Sequence, residues 1–138
     1  MTPGAASDDQ LRARFGSDVS RVSVTPNVDE RGRLVEFDFA ALPFRVRRVF
    51  AVTDVPTGTE RGGHRHLSGD QALFCLAGRV DVELRRGESR HEVTMTPDTG
   101  CLCVRAGVWA RQGYVADRSE LLVFASEPFD PGDYDPGW

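Results

Sequence analysis

Two histidines separated by one residue are the part of this sequence best suited to chemistry. His64 and His66 are two of the chain's three histidines, and in a β-strand both imidazole rings would point to the same face. An imidazole, with an unperturbed pKa of about 6.5, can accept and donate a proton near neutral pH. If that face lines a barrel, the pair predicts a proton-transfer site in which a first proton disfavours a second.

The charge balance of the chain excludes several functional classes. All 17 basic residues are arginine, against 21 acidic residues, which gives a formal net charge of −4. This balance argues against a nucleic-acid binder, and a chain without lysine can form neither a Schiff base nor a P-loop. No apolar run approaches the roughly 18 residues of a membrane span. Three cysteines without a C-x-x-C pair fit a reducing compartment, so we expect a cytoplasmic protein with no membrane partner.

The rest of the sequence predicts a single all-β domain. Residues 1–19 form a small, polar stretch that we interpret as a loosely ordered arm, with a possible short helix from Asp9 to Phe15. Residues 20–138 form the domain, which ends in an irregular acidic tail rich in proline and glycine. Short apolar runs between glycine and proline turns predict a sandwich or a jelly roll. The predicted strands are Arg21–Thr25, Arg33–Phe39, Val46–Thr53, Gln71–Leu76, Arg79–Leu84, Glu92–Thr96, Cys101–Arg105 and Leu121–Ala125.

The spacing around the histidines resembles the first sequence motif of the cupin superfamily. Gly58, His64, His66, Gln71 and Gly78 occur in the order and at the intervals of that motif. The resemblance implies a cupin jelly roll, also called a double-stranded β-helix, with the two histidines inside.

The second cupin motif usually supplies a third metal-binding histidine, and this chain departs from it. The matching stretch begins at Gly100 and reaches Ala110, which stands where the histidine would be. Two histidines and a glutamine make a poor catalytic metal site, because such sites normally have about three good protein ligands. We therefore expect no metal and no other cofactor, with both imidazoles available for proton transfer.

A narrower resemblance points to the dTDP-4-keto-6-deoxyglucose 3,4-ketoisomerases. The likeness covers roughly residues 20–135, and its closing part is specific to that family, whereas the histidine pair is typical of cupins in general. The segments that carry it are Asp29–Leu34, Pro43–Phe50, Arg61–His66, Gln71, Gly78, Val108–Trp109, Leu121–Ser126, Phe129–Asp130 and Asp133–Tyr134.

The resemblance implies a homodimeric, cofactor-free enzyme that moves a keto group from C4 to C3 of a nucleotide-linked deoxyhexose. His64 corresponds by position to the family's catalytic base, and His66 would polarise an oxygen or relay the proton. Arg61 precedes them at a spacing that we take as compatible with a strand, so its permanent charge could hold the enediolate or the diphosphate.

Five further residues are predicted to bind the substrate. Arg48 shares a strand face with Phe50 by alternation, and its charge suits a nucleotide diphosphate. Gln71 belongs to the histidine motif and could hydrogen-bond His66. Trp109 and Tyr114 are candidates for stacking on the base or packing under the sugar, although Trp109 suits the core equally well.

One departure from the family keeps other functions open. Phe50 stands where the family has an active-site tyrosine, and a phenyl ring can donate neither a hydrogen bond nor a proton. One alternative is therefore a repurposed cupin that binds or transforms another small molecule of a biosynthetic pathway. A second is a metal-dependent cupin oxygenase that uses His64, His66 and a cysteine or glutamine.

Overall fold

The protein is a jelly roll of two antiparallel five-stranded sheets. The computed structural model describes residues 8–137. The first sheet has the order β1-β9-β6-β11-β4, the second the order β12-β5-β10-β7-β8, and β2 and β3 form a separate hairpin. The strands are β1 Val19–Val22, β2 Asn27–Asp29, β3 Gly32–Leu34, β4 Arg48–Val52, β5 Thr59–His66, β6 Gln71–Ala77, β7 Val80–Arg86, β8 Ser89–Met95, β9 Cys101–Val104, β10 Trp109–Tyr114, β11 Glu120–Ala125 and β12 Tyr134–Asp135. The predicted fold class is confirmed.

The main core lies between the two sheets. Alternate residues of each strand point inward, so Leu73 of β6 and Val123 of β11 pack towards Val82 and Leu84 of β7. All four side chains are nearly inaccessible to solvent. Burial of this apolar surface supplies the main favourable term in folding.

The outer face of the first sheet is also covered. Residues 35–46 cross it and bury Phe74 and Phe124, with the ring of Phe37 4.8 Å from each of the other two. Because both of its faces are buried, β6 is an almost continuous apolar run. Cys101 and Cys103 lie in this outer cluster as small buried hydrophobes.

The N-terminal residues that the structure describes are packed and do not form a loose arm. Helix α1, Asp8–Phe15, buries Leu11 and Phe15 in the main core, and β1 begins at Val19. The segment has a low overall hydropathy, but two of its apolar side chains, Leu11 and Phe15, are four residues apart and therefore lie on one face of a helix. The predicted arm therefore does not extend from residue 8 onwards, and residues 1–7 lie outside the described part of the chain.

Every predicted strand overlaps an observed one, but the apolar runs did not indicate β2, β5, β10 or β12. Strands β5 and β10 are polar and rich in glycine, so they lack the apolar signal that identified the other strands. Strand β5 carries both His64 and His66, and β10 is its neighbour in the sheet. Within residues 8–137, no helix is long and apolar enough to cross a membrane.

Candidate active site

A cavity of about 160 Å³ opens between the two sheets beside His64. It combines an apolar floor from the first sheet with polar groups from β5, β6 and β10, as is typical of small-molecule sites. It is lined by Phe50, Val52, Arg61, Gly62, His64, Gln71, Leu73, Gln112, Tyr114, Leu121, Val123 and Tyr134. Five of the sequence-predicted site residues are in this set: Phe50, Arg61, His64, Gln71 and Tyr114.

A glycine bulge in β5 brings Arg61 and His64 to the same face. The two residues are three apart, which in a regular strand would put them on opposite faces. Between Ala110 and Arg111, β10 advances by one residue, whereas the paired strand β5 advances by two, from His64 to Gly62. Strand β5 therefore carries one extra residue. The extra backbone is accommodated at Gly62 and Gly63, with φ of +78° and +77°, a conformation that suits glycine. Spacing alone did not justify placing Arg61 in the site, whereas the bulge does.

His64 is held by aromatic rings. Its ring stacks on Tyr134 with a centroid separation of 4.5 Å and lies edge to face with His66 at 5.1 Å. Burial lowers the pKa of His64, as does the neighbouring His66, against an opposing effect of a hydrogen bond at the Gly62 backbone. His64 therefore remains a neutral imidazole at neutral pH, which is the form that accepts a proton.

His66 is anchored by an aspartate of the C-terminal tail. Its Nδ1 lies 3.2 Å from Asp133 Oδ2, and Nε2 is buried with no hydrogen-bond partner among the described residues. Asp133 also accepts hydrogen bonds from the Ser68 amide at 2.7 Å, the Ser68 hydroxyl at 2.8 Å and the Gly69 amide at 3.1 Å. Burial would raise the pKa of Asp133, but these hydrogen bonds outweigh it and lower that pKa, so the carboxylate is ionised.

His66 does not line the main cavity. It borders a smaller void of about 10 Å³, together with His64, Gln71 and Gln112, which line both spaces. The structure therefore separates the two rings: His64 faces the main cavity, and His66 lies next to it. The partner that fixes the His66 ring is Asp133, a role that the sequence offered to Gln71.

Arg48 lies between two aromatic rings. Its guanidinium carbon is 5.0 Å from the centre of the Phe50 ring and 5.7 Å from that of Phe129. Its Nε is buried without a hydrogen-bond partner among the residues described. Arg47, by contrast, is exposed and lies 3.5 Å from Glu127. Of these two arginines, Arg48 is thus the one held near the cavity, and its position agrees with the predicted face shared with Phe50.

Tyr114 supplies a buried phenol to the cavity wall. Its side chain is almost fully buried, and burial raises its pKa to about 12 in spite of the charge of Arg61 nearby. The phenol is therefore neutral at physiological pH and able to donate a hydrogen bond. Arg61 itself is exposed and borders the same cavity.

Trp109, which the sequence offered as a substrate contact, is not among the residues that line the cavity. Alternation along β10 sends Ala110, Gln112 and Tyr114 towards the cavities and Trp109 to the opposite face. There its ring lies under the guanidinium groups of Arg85 and Arg111, at 5.0 and 5.6 Å. Its ring is buried against arginine side chains. Of the two environments that the sequence allowed, substrate contact and burial, the structure shows burial.

The position of the missing third histidine lies directly opposite His64. Ala110 pairs with His64 across β10 and β5, and its methyl group offers no ligand. Among residues 8–137, no three histidine, cysteine, aspartate or glutamate side chains gather closely enough to hold a metal ion.

Sequence reasoning missed Asp133 and Tyr134 as site residues. Both lie in the tail that we expected to be irregular, where a short 3₁₀ turn, Pro131–Asp133, leads into β12. Strand β12 pairs with β5, with Tyr134 opposite His66. A signal was available, because both residues belong to the closing segment that resembles the ketoisomerase family.

Comparison with known families gives one match that spans most of the chain. Residues 17–136 match the family described as "FdtA: WxcM-like, C-terminal". A curated relative from Aneurinibacillus thermoaerophilus, TDP-4-oxo-6-deoxy-alpha-D-glucose-3,4-oxoisomerase, is 32% identical over 108 residues, which is 78% of each chain.

Solved structures of similar proteins have the same fold. QdtA from Thermoanaerobacterium thermosaccharolyticum, a sugar 3,4-ketoisomerase crystallised with TDP, superposes with a TM-score of 0.81 at 27% identity, covering 88% of this chain and 89% of its own. WlaRB from Campylobacter jejuni, a TDP-quinovose 3,4-ketoisomerase, has a TM-score of 0.79 at 23% identity, covering 87% of this chain and 93% of its own.

Proposed function

Because this chain belongs to the FdtA family (WxcM-like, C-terminal), we propose that it catalyses the 3,4-ketoisomerisation of a TDP-linked 4-keto-6-deoxyhexose. The observation that carries the proposal is His64, a neutral imidazole facing a cavity between the sheets with its ring held against Tyr134. The curated relative and QdtA, which carry that activity in their names, support the substrate class.

The reaction requires one proton to leave C3 and one to arrive at C4. His64 takes the proton from C3, the electron pair of the C–H bond forms the C3–C4 double bond, and the π pair of the C4 carbonyl moves to its oxygen. The proton of the C3 hydroxyl passes to the C4 oxygen, which leaves the negative charge of the enediolate on the C3 oxygen. The C3 oxygen then forms a carbonyl, and the electron pair of the C3–C4 double bond takes up a proton at C4. A general base held in place contributes about 10²–10⁴-fold to such a step.

Charge that develops on the two sugar oxygens needs stabilisation, and two side chains of the cavity are suited to it. Arg61 carries a permanent positive charge on the same face as His64. The neutral phenol of Tyr114, which lines the same cavity, can donate a hydrogen bond. These groups and the imidazoles suffice for the steps above, which use no cofactor.

The nucleotide end of the substrate would be bound by Arg48. A guanidinium held between the Phe50 and Phe129 rings, with a free Nε, is suited to a diphosphate oxygen. Gln71 lies between Arg48 and the histidines, bordering the main cavity and the smaller void, where its amide can reach a sugar hydroxyl.

The test is exchange of solvent deuterium into the sugar during turnover. The wild-type chain, incubated in D₂O with TDP-4-keto-6-deoxyglucose, should incorporate deuterium at the carbon that becomes protonated, and a His64→Gln variant should not. His91, a histidine of β8 outside the cavity lining, provides the matched control as His91→Gln. If the sugar stays free of deuterium and no 3-keto product forms, the chain is not a ketoisomerase.

A second candidate function is favoured by Phe50. This phenyl ring occupies the cavity wall where the family has a tyrosine, so one proton donor of the family's site is absent. A cupin that binds a TDP-sugar without isomerising it fits this observation. Binding of TDP, measured by calorimetry, together with ketoisomerase activity that arises only in Phe50→Tyr would establish this alternative.

We also infer that the protein is a homodimer, as the family resemblance implies. Exposed apolar side chains on the β2–β3 hairpin, Val28 and Leu34, support a contact between subunits. Sedimentation equilibrium should give twice the mass of the chain, and a monomer at micromolar concentration would contradict the inference.

We place the protein in the cytoplasm because its thiols favour a reducing compartment. Cys75, Cys101 and Cys103 are all free and buried. Fractionation of cells expressing the chain would test the assignment.

A further inference from the structure

The tail residue that anchors His66 has a role in the reaction proposed above. We propose that Asp133 is a positioning residue that holds His66 in the tautomer with its proton on Nδ1, leaving Nε2 as the ring's proton-accepting atom beside the catalytic space. The catalytic consequence of this inference rests on the proposed ketoisomerase function, whereas the tautomer itself does not.

The hydrogen bonds around Asp133 determine which histidine nitrogen carries the proton. An ionised carboxylate can only accept, so the 3.2 Å contact between Asp133 Oδ2 and His66 Nδ1 requires a proton on Nδ1. Three other donors, the amide and hydroxyl of Ser68 and the amide of Gly69, keep the carboxylate ionised and fixed. In a neutral imidazole Nε2 is then unprotonated.

The backbone leaves Asp133 little freedom to move. Asp133 also accepts a hydrogen bond from the Leu67 amide through its carbonyl oxygen, at 2.8 Å, and the next residue, Tyr134, pairs with His66 in the sheet. Gly69 is in close contact with it, since a Cβ there would lie 2.8 Å from Asp133 Oδ2. The side chains of His66 and Asp133 are 12% and 9% exposed, so water competes weakly for their hydrogen bond.

The free nitrogen of His66 lies where a proton can be exchanged with the site. Nε2 is buried and has no partner among the described residues, and the ring borders the void that His64, Gln71 and Gln112 also line. That void, of about 10 Å³, is close to the smallest space that admits one water. The other tautomer would present an N–H group to this void and remove the acceptor.

Asp133→Asn is the variant that changes the tautomer while keeping the side-chain shape. The Ser68 amide and hydroxyl both donate to Oδ1, at 2.7 and 2.8 Å, whereas the Gly69 amide donates to Oδ2 at the longer distance of 3.1 Å. The single amide oxygen of asparagine should therefore stay on the Ser68 side. Its NH₂ group would then face His66 Nδ1 and donate to it, which moves the imidazole proton to Nε2. Asp135→Asn is the matched control, because Asp135 lies two residues further along the tail, in β12, and pairs with Arg65.

The first measurement is the tautomer of His66, read from the ¹⁵N chemical shifts of its imidazole above the pH at which the ring is charged. We expect a protonated Nδ1 in the wild type and in Asp135→Asn, and a protonated Nε2 in Asp133→Asn. A wild-type ring protonated on Nε2 would overturn the proposal, and this result needs no variant to fold.

The second measurement separates positioning from a merely structural role. Asp133→Asn should lower kcat by about 100-fold and change KM less than about threefold, because Asp133 does not line the main cavity. In a His66→Gln background the same substitution should lower kcat no further, since its effect acts through the imidazole. A full additional loss in that background, or an unchanged kcat in Asp133→Asn, would refute the positioning role. If the wild type shows no ketoisomerase activity, the proposed function fails, whereas the tautomer is still decided by the ¹⁵N shifts.

Discussion

The bulge in β5 offers the sharpest test of how the fold builds the site, because its two glycines share a backbone conformation and differ in the atoms that surround them. Gly62 and Gly63 have φ of +78° and +77°, so alanine at either position adopts the left-handed region at a cost of about 1–2 kcal/mol. A Cβ at Gly63 would meet only Trp109 Cζ2 at 3.9 Å, an ordinary contact. A Cβ at Gly62 would lie 2.5 Å from Gln112 Oε1 and 3.1 Å from the Ala110 carbonyl oxygen.

These distances predict similar losses of stability and different losses of activity. Both Gly62→Ala and Gly63→Ala should lower the free energy of unfolding by the strain of the positive φ, which corresponds to a fall in Tm of roughly 3–10 °C. The 2.5 Å contact at Gly62 is with the end of a flexible side chain and is relieved when Gln112 moves. The 3.1 Å contact with the Ala110 carbonyl needs a small backbone shift, which should make Gly62→Ala slightly the less stable variant. Because Gln112 lines both cavities, the movement of its side chain should lower kcat/KM about tenfold in Gly62→Ala only.

The assay is thermal unfolding followed by steady-state kinetics at a temperature well below both transitions. Equal losses of kcat/KM in the two variants would show that bulge strain, and not the approach to Gln112, controls the site. An unchanged kcat/KM in Gly62→Ala would show that the position of Gln112 does not matter to catalysis.

Further predictions follow from individual side chains. His64 must be neutral to accept a proton, and burial and His66 lower its pKa. We therefore expect kcat/KM to fall on the acid side with an inflection below about pH 6.5, and an inflection above that pH would contradict the assignment. Arg48→Lys should raise KM about tenfold with little change in kcat, because lysine cannot offer two parallel donors to a diphosphate; an unchanged KM removes Arg48 from the binding site. Trp109→Phe should lower Tm and keep kcat and KM within about twofold, because the Trp109 ring faces away from the cavity. A tenfold rise in KM would show instead that Trp109 binds the substrate. Dialysis against a chelator should leave activity unchanged, and loss that zinc or iron restores would support the oxygenase alternative.

Local patterns predicted the apolar strands of the core and missed β5 and β10, which supply polar groups to the site. β6 and β11 were recognisable because core packing demands apolar side chains along them. β5 and β10 must instead present polar groups to a cavity and permit close approach of backbone, so glycine and charged residues replace the apolar pattern. The helix at the N-terminus was underestimated for a related reason, since only Leu11 and Phe15 of its eight residues are buried.

The sequence by itself predicted the chemistry, because imidazole spacing and family resemblance are local properties of the chain. It singled out His64, which lines the cavity, and it placed Arg48 and Phe50 on one face through simple alternation. Tertiary structure alone decided which groups surround the imidazoles. Asp133 contacts His66 although the two residues are 67 positions apart in the sequence. Trp109 points away from the cavity because of the side-chain alternation along β10. Such contacts depend on how distant segments pack, and no pattern within a short window records that packing.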